Sequence, residues 1–171
     1  MILDKGNNTG QDKQDGMEWG EIMADKIAII GLGLIGGSLG LAFSESTPKV
    51  LVFGYDSNPE AVRQALDIGA IQQAGSLAEA VREADYVFVC TPIKGILEVL
   101  GSTAAHLKPG CVVTDVCSTK KPVMELLAGL PPGIYGIGGH PMAGSEKRGI
   151  GAADRFLFEN AVYVLTPADG T

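Results

Sequence analysis

The sequence predicts an α/β domain built on a doubly wound, mostly parallel sheet. Three observations lead there. Short continuous apolar runs recur along the chain, the pattern of strands buried on both faces. Segments of helical length and period alternate with them, joined by short connections and no long linker. Glycine is in excess, at 24 of 171 residues, and clusters at Gly31–Gly40 and Gly133–Gly151. Such clusters mark loops that approach something closely rather than a low-complexity chain.

Each element follows from its residues. Lys26–Ile30 is the first strand. Leu34–Ser44 is the first helix, with Leu34, Ile35, Leu39 and Ala42 or Phe43 on its buried side. Val50–Tyr55 is the second strand. Pro59 suits the first position of a helix that runs to about Ile68, where Gly69 can cap it. Ser76 and Glu79 have capping-box spacing for a short helix ending near Arg82. Tyr86–Cys90 is a buried strand, Ile93–His106 a helix and Cys111–Thr114 another strand. Lys120–Leu127 is helical, Ile134–Ile137 extended, and Ala161–Leu165 the final strand.

Charge and composition exclude several classes. The net charge is −7, and residues 1–25 alone hold six acids against two bases. The body is therefore nearly balanced, which argues against nucleic acid or an anionic membrane as partner, since both need a basic field. No run reaches the roughly 18 apolar residues of a membrane span. The N-terminus lacks the basic-then-apolar order of a signal peptide. Residues 1–25 are expected to form a mobile acidic tail, with Trp19 a lone exposed aromatic and Met17 or Met23 as alternative starts. Cys90, Cys111 and Cys117 lie in or beside apolar runs, with no CxxC and no histidine at ligand spacing. They read as reduced structural cysteines of a cytoplasmic protein, and no metal is expected.

The chemistry sits where strands end, which is where ligands bind in such sheets. Gly31-Leu-Gly33-Leu34-Ile35-Gly36 follows the first strand and opens the first helix. Gly31 suits the tight turn, Gly33 lets backbone approach a pyrophosphate, and Gly36 allows close helix–strand packing. The free N–H groups and positive end of the helix would hold that pyrophosphate. A glycine-rich turn alone is weak evidence, but Asp56 closes the second strand 20 residues after Gly36. A carboxylate there accepts hydrogen bonds from the adenosine ribose, with Ser57 beside it also expected at the cofactor, although Asp56 could also simply begin the turn into Ser57, Asn58 and Pro59. The domain is thus expected to be of the Rossmann type. A 2′-phosphate would bring about −2 of charge against Asp56, and no arginine stands at 57 or 58, so NAD is expected over NADP. Thr91, Pro92 and Ile93 would line the channel from adenosine to nicotinamide, or else form a plain strand-to-helix turn.

Two polar clusters lie toward the nicotinamide end: Asp115-Val-Cys-Ser118-Thr-Lys120, and Gly138-Gly-His140-Pro-Met-Ala-Gly-Ser145-Glu146. His140 follows two glycines and precedes a proline, so its backbone is specially shaped at a strand end. His106, the other histidine, reads as a surface or capping residue.

Together GLGLIGGSLG, Asp56, DVCSTK and GGHPMAGSE resemble the nucleotide-binding domain of the prephenate/arogenate dehydrogenase family, over about Lys26 to Thr166. The resemblance implies that His140 is the catalytic histidine and Ser118 the serine that hydrogen-bonds it. It implies Glu146 as an acidic site residue, with Ser145 and Lys147 as substrate-side contacts. It also implies a helical second domain that completes the substrate pocket and forms a homodimer. On that reading 26–167 is the dinucleotide-binding domain and 168–171 a truncated linker toward the missing domain. The implied reaction is NAD-dependent oxidative decarboxylation of prephenate to 4-hydroxyphenylpyruvate, in tyrosine biosynthesis. A histidine, with an ordinary pKa near 6.5, suits a base working at neutral pH. Alternatives are arogenate as substrate, a 3-hydroxyacid-type dehydrogenase on the same fold, or an NAD-binding or sensing module without catalysis.

Overall fold

In the first strand, β1 (Lys26–Ile30), side chains alternate between two cores. Ile27 and Ile29 enter one cluster, with Leu32, Leu39, Val52 and Ile71; Ala28 and Ile30 enter the other, with Val81, Val87, Ile96 and Val113. A strand with no polar face can only lie inside a sheet covered on both sides. The computed structural model describes residues 25–46 and 49–168 and shows that arrangement. Residues 1–24 of the acidic tail, Trp19 among them, and the last three residues of the expected linker lie outside the described residues.

After β1 come α1 (Leu34–Ser44), β2 (Leu51–Tyr55), α2 (Pro59–Asp67), β3 (Gln73–Ala74), α3 (Leu77–Arg82) and β4 (Tyr86–Val89). Then follow α4 (Ile93–Thr103), β5 (Val112–Asp115), α5 (Lys121–Leu127), β6 (Tyr135–Pro141) and β7 (Tyr163–Pro167). The seven strands lie in the order β3-β2-β1-β4-β5-β6-β7. Every pair is parallel except β6–β7. The chain leaves β1 toward β2 and returns on the other side to β4. The carboxyl ends of β1 and β4 therefore flank a topological switch point, where open sheets bind ligands.

Local signals act as expected at several boundaries. Asn58 caps α2 by accepting from the Glu60 N–H at 3.1 Å, with Pro59 at the first helical position. Ser76 and Glu79 form the reciprocal capping box of α3. Beyond shifts of one residue at the ends of β2, β4, β5 and α5, four elements differ from the sequence reading. β3 is a two-residue edge strand with both residues exposed, so it has no pattern to find. α4 ends at Thr103 and tightens into a 3₁₀ turn over Ala104–His106. At this end Ser102 and Thr103 turn their hydroxyls back onto the Glu98 and Val99 carbonyls. β6 runs four residues past Ile137, to Pro141, and β7 begins at Tyr163 rather than Ala161. No helix among the described residues is long and apolar enough to cross a membrane.

Candidate functional site

The glycine turn is shaped by sterics at two positions. Gly31 has φ +98°, and its N–H donates to the Tyr55 carbonyl at 2.8 Å. A Cβ there would lie 2.9 Å from the Cys90 carbonyl carbon, so the turn passes directly under the end of β4. A Cβ on Gly36 would come within 2.0 Å of the Gly31 carbonyl oxygen, which is how closely α1 packs on the turn. Gly33, by contrast, faces open space, with nothing within 4 Å of the corresponding position. It is also the N-cap of α1, and no side chain caps that end. The first N–H groups of the helix are left for something outside the protein to satisfy.

Asp56 braces this turn. Its Oδ2 accepts the Leu32 N–H at 2.7 Å, and its Oδ1 accepts the Asn58 N–H at 2.8 Å. The second bond begins the turn into α2, and the first ties the end of β2 to the glycine turn. A carboxylate offers about four lone-pair positions, so two remain for hydroxyl groups of a ligand.

Both features open on a cleft of about 510 Å³. Of the residues expected to bind a cofactor, Gly31, Gly33, Asp56, Ser57, Thr91 and Pro92 line it; Leu34, Ile35, Gly36 and Ile93 do not. Ile35 and Ile93 pack instead against the two cores. Tyr55, Leu77, Glu98, Val99 and Ser102 also form its walls. The α4 wall could have been found: Gly95, Glu98, Val99 and Ser102 stand at i, i+3, i+4 and i+7, one face of a helix that starts beside Pro92. The lining holds two acids and no lysine or arginine. Thr91 Oγ1 is buried on this wall without a hydrogen-bond partner, an orphan that a bound polar group would satisfy.

His140 lies within β6 rather than beyond it, opposite Val164 of β7. Positions on the α5 face of β6 lack side chains before it. A Cβ on Gly136 would meet Leu127, and one on Gly138 would meet Met124 and Lys120. Strand alternation puts half-buried His140 on that same face. Ser118 is exposed just before α5. The expected hydrogen bond between Ser118 and His140 is not formed: neither side chain has a recorded partner among the described residues. Asp115 and Lys120 hold this corner instead. Asp115, 1% exposed, accepts the Cys117 N–H at 2.8 Å and the Gly139 N–H at 3.0 Å, and pairs with the Lys120 ammonium.

Ser145, Glu146 and Lys147 are exposed on the segment that leaves β6. That segment is anchored again where Ile150 packs on Gly37 and the Asp154 N–H donates to Ser38 Oγ at 2.9 Å. It thus runs from the end of β6 to α1.

Burial pushes the Cys90 and Cys117 thiols up, and Cys111 up to about 11, so all three are protonated at neutral pH. Burial, with Cys90 and Asp115 beside it, pushes the Tyr163 phenol up to about 12, which keeps it a donor toward the Asp115 carbonyl. No group of three or more metal-ligating side chains is gathered among the described residues.

Comparison with known proteins agrees with this geometry. Residues 39–171 match the family model described as prephenate dehydrogenase, nucleotide-binding domain. A prephenate dehydrogenase of Bacillus subtilis is 42% identical over 152 residues, which cover 87% of this chain and 41% of that protein. The crystal structure of Synechocystis arogenate dehydrogenase superposes with a TM-score of 0.75 at 39% identity, covering 84% of this chain and 50% of that one. The prephenate dehydrogenase of A. aeolicus, solved with hydroxyphenyl propionate and NAD+, gives a TM-score of 0.79 at 32% identity, covering 88% and 53%. The chain thus spans about half the length of these relatives, or less.

Proposed function

The chain belongs to the prephenate dehydrogenase family through its nucleotide-binding domain, and from that premise we propose that it binds NAD and serves the oxidative decarboxylation of prephenate to 4-hydroxyphenylpyruvate, a step of tyrosine biosynthesis. One observation carries the cofactor half: Asp56 braces the glycine turn while keeping lone pairs free at the cleft. The open space at Gly33, the uncapped α1 and the orphaned Thr91 hydroxyl fit a dinucleotide laid across the switch point.

The N–H groups at the start of α1 would hold the pyrophosphate, and Asp56 the two ribose hydroxyls of the adenosine. When bound, NAD supplies the acceptor for the hydrogen that leaves ring C4 as hydride. His140 would take the proton of the C4 hydroxyl, so that a carbonyl forms as the C–H bond breaks. It would return that proton to the phenolate oxygen once carbon dioxide has left and the ring is aromatic. Ser118, just before α5, and Ser145, Glu146 and Lys147, on the segment that follows β6, are proposed to meet the substrate or orient the imidazole. Arogenate remains the second reading, because the Synechocystis arogenate dehydrogenase is 39% identical.

We further place the protein in the cytoplasm, in keeping with three protonated, unpaired cysteines. A homodimer is proposed, formed through a helical domain in the part of the relatives this chain does not span. Val162, Val164 and Leu165 are 65%, 45% and 60% exposed on or beside the edge strand β7, and such a domain would cover them.

Two measurements test the proposal. The 171 residues alone are expected to bind NAD saturably by calorimetry, yet to reduce little or none of it when prephenate is added. A near-attack geometry is worth about 7–11 kcal/mol of barrier, and an open pocket forfeits much of it. Robust turnover by this chain would show that the substrate site is complete within it; no dinucleotide binding would remove the proposal. Asp56→Asn is expected to weaken NAD about 10-fold or more, since each charged hydrogen bond contributes on the order of 1.5–3 kcal/mol. It should also narrow the preference over NADP, with Glu98 keeping part of the repulsion. Unchanged affinity for both dinucleotides would exclude Asp56 from the ribose site.

A further inference from the structure

The ladder between β5 and β6 stops short of His140. Its last register pair is Thr114 with Ile137, three residues before the histidine. From there on the partners on this side of β6 are side chains, one at the end of β5 and one just before α5. Asp115 Oδ1 accepts the Gly139 N–H at 3.0 Å, and Lys120 Nζ donates to the Gly139 carbonyl at 2.5 Å. That carbonyl belongs to the peptide joining Gly139 to His140. Both polar groups of Gly139 on this side are therefore taken by one ion pair, as a neighbouring strand would take them.

Glycine makes this necessary and allows it. Two successive glycines leave the strand end before His140 with the freest backbone available. The same glycines make room for the pair. A Cβ on Gly138 would stand 3.2 Å from Lys120 Cδ, and one on Gly139 would stand 2.4 Å from the Asp115 carbonyl oxygen.

We propose that Lys120 and Asp115 are positioning residues that replace the missing β5–β6 ladder and fix the Gly139–His140 peptide, and with it the direction of the His140 imidazole. This rests on the catalytic reading of His140. Lys120 is not a substrate contact on this assignment. Its ammonium has three donors, and three protein acceptors meet it: Asp115 Oδ1 at 2.6 Å, Asp115 Oδ2 at 2.5 Å and the Gly139 carbonyl. Nor is the pair a loose surface contact, because Asp115 is buried and a buried carboxylate has to be matched.

The chain has two histidines, so its imidazole NMR spectrum contains its own control. In Lys120→Met, the His140 ring signals are expected to shift and broaden while those of His106 stay in place, with the circular dichroism of the wild type. Lys120→Arg keeps the ion pair but changes the reach to Gly139, and is expected to give a smaller shift. If Lys120→Met does not fold, Lys120→Arg decides by the same reading. In a form spanning the length of the relatives, Lys120→Met should lower kcat about 10-fold to 100-fold, leave the KM for prephenate within about threefold, and leave NAD affinity within about twofold. An unmoved His140 signal in a folded variant overturns the proposal, as does a raised KM with unchanged kcat, which would make Lys120 a substrate contact. If His140 itself proves dispensable for turnover, the catalytic reading falls, and the spectrum still reports whether the pair orients the ring.

Discussion

Replacing His140 with asparagine should lower prephenate-dependent turnover roughly 10²–10⁴-fold, the usual scale of a positioned acid–base group, while NAD affinity stays within about twofold. Asparagine keeps a polar side chain of similar reach but has no site that accepts a proton at neutral pH. The backbone should not respond. Gly139 is held by Asp115 and Lys120 on one side, and β6 pairs with β7 at His140 and Val164 on the other. Nor does His140 line the 510 Å³ cleft, so removing its ring takes nothing from the adenosine end. The measurement needs a form as long as the relatives, with initial rates and NAD titrations on the same preparation. Near-normal turnover, or loss of NAD binding by a folded variant, would exclude the role.

The apolar runs carried most of the fold. Ile27–Ile30, Val87–Val89 and Val112–Val113 have no polar face, and a strand of that kind has one place to go. The glycine turn and Asp56 were equally visible, because each is defined by its spacing from a strand end. What the sequence hid was hidden for physical reasons. Gly138 and Gly139 carry no side chain to signal a strand, and β6 continues through them only because Asp115, Lys120 and β7 supply partners from elsewhere in the chain. The antiparallel direction of β7 has no local signature either. Lys120 stood in the DVCSTK cluster, yet nothing along the chain says that its ammonium reaches the carbonyl 19 residues on. The α4 wall of the cleft follows a helical period along the chain, but Leu77 of α3 becomes a wall only once its helix has been placed on the sheet.

Gly36→Ala should unfold the cofactor site through the smallest addition available. The new Cβ would lie 2.0 Å from the Gly31 carbonyl oxygen and 3.1 Å from Ile29 Cγ2. Ordinary contact needs more than an ångström of additional separation at the first of these, and the obstacle is backbone. The turn has nowhere to go: Gly31 is held by its N–H bond to Tyr55 and by the end of β4 above it. Alanine favours a helix over glycine by up to about 1 kcal/mol, which works in the opposite direction. Overpacking of a rigid site costs about 1–3 kcal/mol and sometimes more, and a clash this short with backbone belongs at the top of that range. A net loss of about 2–3 kcal/mol corresponds to a fall in Tm of roughly 4–12 °C for a domain of this size. NAD affinity should fall by about 100-fold or more, because α1 must move off the turn whose N–H groups it presents. Gly33→Ala is the comparison that separates the causes. Its Cβ meets nothing within 4 Å, so the Tm should stay near the wild-type value. The methyl group would nevertheless occupy the space through which the pyrophosphate reaches the backbone, so NAD should still bind more weakly. A Gly36→Ala protein that melts with the wild type would mean that helix and turn can separate at little cost, and that the close packing at Gly36 is not what shapes the site.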